Sequence, residues 1–211
     1  MPIAINGSGT ITGVSAGGLN DGSINTEDLN AGTASVGQKL VASGASGAMS
    51  WGSSVVSAAV QASTSGTSIT FGSIPSWARR VTMSLNGVSL SGTALIRFRL
   101  GTASGVATSG YNGAGSVISS AVVTANQTAG FDMYTNTPNA AYLASGQIVF
   151  TLIDAGNNIW AASGLFASHS VAWTQTIAGV VALSGTLTQV VATTSNGTDT
   201  FDAGSINVFW E

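Results

Sequence analysis

The sequence contains no cysteine, very little charge and no long apolar run. Without cysteine the chain forms neither disulfides nor thiolate metal sites, which fits a protein made in a reducing cytosol. Charged residues make up only 6% of the chain, against about a quarter in typical soluble domains. No apolar stretch approaches the roughly 20 residues that span a bilayer. With a hydrophobic fraction of 44%, the composition indicates a globular chain that does not insert into a membrane.

The few cations are scattered, and the formal net charge is −3. Because nucleic-acid binding depends on neutralising phosphates with clustered Lys and Arg, we expect no nucleic-acid partner. The N-terminal "MPIAINGSGT" lacks a basic region followed by an apolar run, so we do not expect a signal peptide. A surface this neutral is typical of a protein that is largely buried in an assembly.

The chain has two compositional zones, and the first runs from residue 1 to 54. It is rich in Gly, Ala, Ser and Asn, and its apolar residues stand singly, so it cannot build a core within one copy. We expect an extended arm that packs against other copies or another protein. Within it, "INTEDL" predicts a helical turn capped by Asn25. The residues expected to dock the arm are Leu19, Ile24, Glu27, Asp28 and Leu29.

The arm ends in "GQKLVASGASGAMSWG". This segment predicts two short strands, residues 38–42 and 48–52, around a Gly-Ser turn. Trp51-Gly52 is interpreted as a hinge before the second zone.

From residue 55 to 211, apolar and polar residues alternate in segments such as "SITF", "RRVTMSLNGV" and "ALIRFRLG". Turn signals recur every 8–12 residues or so, which predicts an all-β, antiparallel β-sandwich, jelly-roll-like in topology. Asn86-Gly87 is interpreted as a turn that ends a strand, "SVISSAVVT" as one strand, and "DAGNN" and "SNGTD" as hairpin loops. Uncovered strand edges favour closure by symmetric assembly, and we expect a homotrimer.

Two groups of titratable residues are candidates for chemistry. His169 has no cysteine partner and is interpreted as a surface histidine or one at an axis between copies. Asp199 and Asp202 lie in "SNGTDTFDAG", where turn capping is the favoured interpretation. A cation site with Asn196 and a general acid–base pair are the alternatives. We expect no catalytic residue, no metal and no cofactor.

Arg97 and Arg99 are two positions apart and share one face of a predicted strand. They repel each other unless a negative group lies opposite. Structural pairing with Asp132, Asp154 or a neighbouring subunit is favoured over a bound anion.

The aromatic residues include candidates for contact with a sugar. The five tryptophans are interpreted mainly as core and interface residues. Two tyrosines lie in loop-like, Asn-rich and Gly-rich surroundings, "SGYNGAGS" and "DMYTNTPNAAY". The candidate receptor-contact residues are therefore Tyr111, Asn112, Tyr134 and Asn136.

Three stretches resemble a domain common at the C-terminus of tail-fibre-like virion proteins of tailed bacteriophages. They are "SGTSITFGSIPSWARRVTMSLNGVSLSGT", "RLGTASGVATSGYNG" and "VALSGTLTQVVATTSNGTDTFDAGSINVFWE". "GQKLVASGASGAMSWG" is similar to an element that often precedes such distal domains. The resemblance implies a trimeric, β-rich appendage that docks to other virion proteins by its N-terminus and faces the host with its C-terminal domain. It implies no catalytic residue.

Three functions are weighed on this basis. The favoured one is a short tail fibre, made in the host cytoplasm and acting in the virion, that contacts a host glycan or protein. The alternative is a head fibre or a capsid decoration (cement) protein, which the short chain without a shaft repeat favours. A glycan-cleaving tailspike is disfavoured because clustered acids and a long parallel β-helix pattern are missing from the sequence.

Overall fold

The computed structural model describes residues 39–43, 48–52, 54–119, 122–133 and 139–211. The chain divides into two units, Met1–Ser54 and Val55–Glu211. In the first unit, β1 (Lys39–Ser43) pairs with β2 (Ala48–Gly52) in an antiparallel hairpin whose register joins Lys39 to Gly52. The two short strands expected from "GQKLVASGASGAMSWG" are therefore present, the first shifted by one residue.

The second unit is all-β in its described part. Apolar residues that alternate with Ser and Thr give these strands one buried and one exposed face. The strands are β3 (Val56–Ser57), β4 (Gln61–Ala62), β5 (Ser68–Phe71), β6 (Arg80–Leu90), β7 (Ile96–Thr102), β8 (Gly105–Val106), β9 (Tyr111–Ile118), β10 (Val122–Gln127), β11 (Phe131–Asp132), β12 (Ala144–Asp154), β13 (Ile159–Ser168), β14 (Thr174–Ala182), β15 (Gln189–Thr194) and β16 (Phe201–Trp210). None of the residues that the structure describes is helical, and accordingly no membrane-spanning helix is found among them.

These strands form two antiparallel sheets. The larger sheet has nine strands in the order β10-β9-β14-β13-β12-β6-β16-β3, with β4 also paired to β16. The smaller sheet has five strands in the order β11-β7-β15-β5, with β8 paired to β7. The all-β, antiparallel prediction is confirmed for the described residues.

The core lies between the two sheets. Phe98 of β7 stacks on Phe166 of β13 with ring centroids 5.4 Å apart, and Phe131 of β11 packs near Phe150 of β12 at 6.2 Å. All four rings are essentially inaccessible to solvent. Each such ring contributes about 2–3 kcal/mol by leaving water, which makes the contact between the sheets the main source of stability. The arrangement is sandwich-like.

Asn86-Gly87 does not end a strand, contrary to the expectation from sequence. Strand β6 continues to Leu90, and its registers with β12 and β16 both shift near Gly87, which marks a β-bulge. Gly87 has φ +61°, and a Cβ on the facing Gly204 would lie 2.4 Å from the Gly87 carbonyl oxygen. The dipeptide supplies the positive φ that a bulge needs as readily as the one a hairpin needs.

Two further segments differ from the expectation. "SVISSAVVT" is divided between the end of β9 and the start of β10, which pair with each other, so it is not one strand. "SNGTD" follows β15 and precedes β16, which lie in different sheets. It is thus a crossing between sheets and not a hairpin loop, whereas "DAGNN" does connect the paired strands β12 and β13.

Candidate functional site

Arg97 is bound by a carboxylate inside the domain. Its Nε donates to Asp132 Oδ1 at 2.6 Å and its Nη2 to Asp132 Oδ2 at 2.8 Å. This bidentate hydrogen bonding raises the pKa of Arg97, against the opposing effect of burial. Gln127 and Gln175 donate to the backbone oxygen of the same aspartate at 2.7 and 3.0 Å. The structural pairing expected for Arg97 is confirmed, with Asp132 as its partner.

Arg99 makes a different contact from its neighbour on the strand. Its Nε donates to the Ala129 carbonyl oxygen at 2.8 Å. Burial, followed by repulsion from Arg97, lowers the pKa of Arg99. Within the described residues Arg99 thus forms no ion pair of the kind that Arg97 forms with Asp132, although both arginines lie on one face of β7.

The acidic residues of the "SNGTDTFDAG" loop stabilise the backbone. Asn196 Oδ1 accepts from the amides of Thr198 and Asp199, both at 3.0 Å. Asp199 Oδ2 accepts from the Ala94 amide at 2.8 Å, and Asp202 binds the Ser89 hydroxyl. The capping of backbone amides is confirmed for Asn196 and Asp199, but it is wrong for Asp202, which lies in β16 and accepts from a hydroxyl. Among the described residues no group of three or more His, Asp or Glu side chains is placed to hold a metal ion.

Two other carboxylates also have local partners. Asp154 accepts from the Asn157 side chain at 2.8 Å and from the Gly156 amide at 2.9 Å, so it does not pair with an arginine. Glu211 forms an ion pair with Arg80. Every carboxylate in the described part of the chain therefore holds a turn, a strand end or a cation of the fold.

Tyr111 is a core residue and not a surface platform, which corrects the expectation from sequence. Only 4% of it is exposed, its ring packs edge-on against Phe131 at 5.0 Å, and its hydroxyl donates to the Ala107 oxygen at 3.1 Å. Burial raises the pKa of Tyr111. A ring enclosed on all sides presents no face to a sugar.

The other candidate residues divide into two groups. Asn112 is exposed on β9, and His169 is exposed after β13, where its backbone amide donates to the Leu143 oxygen at 2.8 Å. The remaining candidates lie outside the described residues: Leu19, Ile24, Glu27, Asp28, Leu29, Tyr134 and Asn136.

One concave site lies where three loops meet at one end of the sandwich. The loop between β5 and β6 contains a tight turn in which the Ala78 amide donates to the Pro75 oxygen at 3.0 Å. Trp77 lies within this turn and is 52% exposed, whereas Ala78 is buried. The proline ring presets the backbone of the turn, so the indole is held outward.

Beside this turn is a cavity of about 150 Å³, which we name the loop-end cavity. Its walls come from the β5–β6, β12–β13 and β14–β15 loops and from the ends of the adjoining strands. The lining residues are Ile74, Pro75, Ser76, Ala78, Arg79, Leu152, Ala155, Asn158, Trp160, Thr186 and Leu187.

Arg79 is the only charged group among the residues lining the loop-end cavity. Its Nη1 donates to the backbone oxygens of Ser76 at 3.0 Å and Ala78 at 3.3 Å. Within the described part of the chain it has no carboxylate partner. The turn thus fixes a cation beside an open cavity.

A second concavity is a groove of about 420 Å³ on the outer face of the larger sheet. The half-buried ring of Phe209 lies in it, flanked by Thr82, Ser84 and Gln147, with the Arg80–Glu211 ion pair among its walls. Because that arginine already has a carboxylate, the groove offers no unpaired cation.

The sequence interpretation missed the loop-end cavity because it treated the tryptophans as one class. Trp160 and Trp173 are indeed buried, but Trp77 is not. The available signal was local: "IPSWARR" places a tryptophan two residues after a proline and two before an arginine pair.

Comparisons with protein-family models, with curated proteins and with solved structures find no match to this chain.

Proposed function

We propose that this chain is a structural protein of a bacteriophage virion, a short tail fibre made in the host cytoplasm. Its N-terminal arm, residues 1–54, docks to other virion proteins. Its C-terminal β domain, residues 55–211, contacts the host surface. Copies associate into a homotrimer, and the jelly-roll-like topology expected from sequence stays part of the proposal.

The observation that carries this proposal is the uncharged outer face that strands β9, β10, β12, β13 and β14 form in one part of the larger sheet. Strands β9, β10, β13 and β14 contain no charged residue, and β12 contains only Asp154 at its end. Across the face, Gln147, Leu165, Thr176 and Ser116 align as cross-strand neighbours, and Leu165 is 60% exposed. A face of this kind suits contact between identical copies, because no like charges meet there.

The placement of the carboxylates supports a non-enzymatic role. Glycoside hydrolysis needs two carboxyl groups facing each other across a cleft. In the described part of the chain each carboxylate instead binds a backbone amide, a hydroxyl or an arginine of the fold. The function proposed is therefore attachment and not cleavage.

A head fibre or capsid decoration protein is the second candidate. The sequence has no long shaft repeat between the arm and the β domain, which favours a knob close to its docking surface. The two candidates differ in where the protein is found on the particle.

Immunogold labelling or electron cryomicroscopy of virions tests the location directly. Label or density at the tail is the expected result. Copies distributed over the head would replace the tail-fibre proposal with the decoration protein, and particles without the protein would contradict both.

The arm is tested by deleting residues 1–34. We expect the shortened chain to keep the circular dichroism and the thermal transition of the β domain but to be lost from particles. Normal incorporation of the shortened chain would contradict a docking role for the arm.

Light scattering on the full chain tests the assembly. The expected mass is three times the 20.9 kDa of one copy. Thr176→Glu, in the middle of the uncharged face, is expected to lower that mass, whereas Ser65→Glu on an exposed bend is not. A monomer mass for the unaltered chain would refute the trimer.

A further inference from the structure

We infer that the loop-end cavity is a binding site for a carboxylated sugar, such as a uronic or sialic acid residue of a surface glycan. Trp77 supplies the platform for the sugar ring, and Arg79 binds the carboxylate. The part of this inference that concerns contact with a host rests on the proposed function. The binding of an acidic sugar is tested separately, on the purified chain.

Trp77 has the features of a stacking platform. An indole that is 52% exposed leaves a large apolar face in water, and covering that face with the C–H side of a pyranose ring removes apolar area from solvent. Trp77 is not itself a lining residue of the loop-end cavity, but the other residues of its turn, Pro75, Ser76 and Ala78, are, so the exposed indole belongs to the turn that forms one wall. Because the Pro75–Ala78 hydrogen bond fixes the turn, little conformational freedom is lost when a ligand binds.

Arg79 is the reason for proposing a sugar that carries a carboxylate. Arg80 and Arg97 already have carboxylate partners in Glu211 and Asp132. Arg79 is held only by two backbone oxygens on Nη1, which leaves its Nε and Nη2 groups without a partner among the described residues. A guanidinium presents these donors in the spacing that a carboxylate accepts as a bidentate pair.

The loops around the cavity are fixed and locally strained. Ser73 and Asn158 are the two non-glycine residues with positive φ in the described chain, at 59° and 51°. Ser73 precedes the β5–β6 turn, and Asn158 lines the cavity. Backbone strain of this kind tends to occur where function requires a particular geometry.

Hydrogen bonds hold the strained segments in place. The Ile74 amide donates to the Thr188 oxygen at 3.0 Å, and the Leu183 amide donates to the Asn158 oxygen at 3.1 Å. These bonds tie the three loops together, so that the cavity walls exist before a ligand arrives.

Two polar residues of the cavity lining suit the hydroxyl groups of a sugar. Asn158 and Thr186 both line the cavity, and a side-chain amide and a hydroxyl each offer both a donor and an acceptor.

The binding experiment uses the full chain and four probes. Glucuronic acid and N-acetylneuraminic acid carry the carboxylate, glucose is the neutral control, and acetate is the anion without a ring. Binding is followed by saturation-transfer NMR and by protection of tryptophan fluorescence from acrylamide. We expect at least one acidic sugar to bind about tenfold more tightly than glucose and acetate, the effect of one charge-assisted contact.

Variants assign that binding to the cavity. Trp77→Ala is expected to weaken it by about tenfold or more and to abolish the acrylamide protection. Arg79→Gln is expected to make the acidic and neutral sugars bind alike, and Arg79→Lys to restore part of the preference. Phe209→Ala in the second groove and Leu165→Ala on the sheet face are the matched controls and are expected to bind as the unaltered chain does.

Three results would overturn the site. They are no preference for either acidic sugar, unchanged binding by both Trp77→Ala and Arg79→Gln, or loss of binding in Phe209→Ala alone. Thermal unfolding of each variant shows that a loss of binding does not come from unfolding.

Adsorption of the full chain to cells of the bacterium that supports the virus separates this inference from the proposed function. If the unaltered chain and Trp77→Ala adsorb equally well, the attachment function stands and the site is not its host contact. If the chain binds acidic sugars through Trp77 but does not adsorb to cells, the site stands and the attachment function is wrong.

Discussion

Arg97 and Arg79 lie in two regions that give an arginine side chain different hydrogen-bond partners. Around Arg97 the protein supplies its own carboxylate, and the backbone oxygen of that aspartate binds two buried glutamine amides. Around Arg79 it supplies only backbone oxygens, with an exposed tryptophan in the same turn and a cavity beside it. We call the surroundings of Arg97 the closed region, because the protein itself supplies the carboxylate. The loop end of the sandwich is open, because it leaves an arginine and a cavity accessible to a partner.

The difference shows how a chain with so few charges uses them. A carboxylate placed against an arginine within the fold contributes to stability and leaves nothing for a ligand. An arginine fixed by carbonyl oxygens keeps its charge available. Substitutions in the closed region should therefore change stability, and substitutions at the loop end should change binding.

Trp160→Ala is expected to have the largest effect on stability. Removing a buried indole leaves a cavity between the sheets and should lower the free energy of unfolding by about 4 kcal/mol. Trp77→Ala is the matched control, because truncating a half-exposed side chain should change the free energy of unfolding by less than about 0.5 kcal/mol. Urea denaturation of both variants measures the difference. Equal losses of unfolding free energy would mean that the two tryptophans contribute equally to stability, contrary to this prediction.

Asp132→Asn breaks the closed region at its ion pair. The side chains of Arg97 and Asp132 are only 17% and 15% exposed, so the variant leaves a half-buried guanidinium without its carboxylate, at a cost of about 3 kcal/mol. Glu211→Gln, which removes the ion-pair partner of the exposed Arg80, should cost less than about 1 kcal/mol. Denaturant midpoints with unchanged m-values check both, and the comparison fails if Glu211→Gln is the more damaging variant.

Gly179→Ala tests how tightly the closed region is packed. A Cβ there would lie 2.5 Å from the Cα of Gly113 and 2.9 Å from the Phe131 ring. Overpacking of this kind should cost about 2 kcal/mol. A Cβ on Gly185, in the loop between β14 and β15, would meet no atom within 4 Å, so Gly185→Ala should be neutral in the same calorimetric scan. A melting temperature for Gly179→Ala equal to that of the parent would mean that the strands separate freely there.

The smallest effect is a pH dependence in the β12–β13 loop. The Asn157 side-chain amide, followed by backbone amides, lowers the pKa of Asp154 below its ordinary value of 3.8. The unfolded chain therefore takes up this proton at a higher pH than the folded one. The stabilisation is complete well above pH 3.8 and is lost as the pH falls through the folded pKa.

Asp154→Asn and Asn157→Ala isolate this contribution. The melting temperature of the parent should exceed that of either variant near neutral pH, and the gap should close in acid. A gap that stayed constant or widened as the pH fell would contradict the assignment. The carboxylate binds only groups of its own loop, so the gap should be the smallest of the four effects.

The pattern of alternating residues predicted most of the strands, because alternation is a local property that burial of one sheet face imposes on every strand. It did not distinguish a hairpin from a bulge at Asn86-Gly87, since both need the positive φ that glycine accepts. It also failed for Tyr111, whose Gly-rich and Asn-rich neighbours indicated a loop. Gly113 of that segment instead lies against the ring of Phe131, a residue distant in sequence, where a Cβ would come within 3.3 Å of it.

The sequence by itself determined the all-β class, the scarcity of charge and the need for an arginine partner on β7, because composition and periodicity act over a few residues. Only the tertiary structure decided which arginine has a carboxylate. Asp132 reaches Arg97 because β11 pairs with β7 across 35 positions of chain. Arg79 has no carboxylate partner within the described residues, because the loops around it place none at its guanidinium. Such choices depend on strand order and loop closure, which no short stretch of sequence contains.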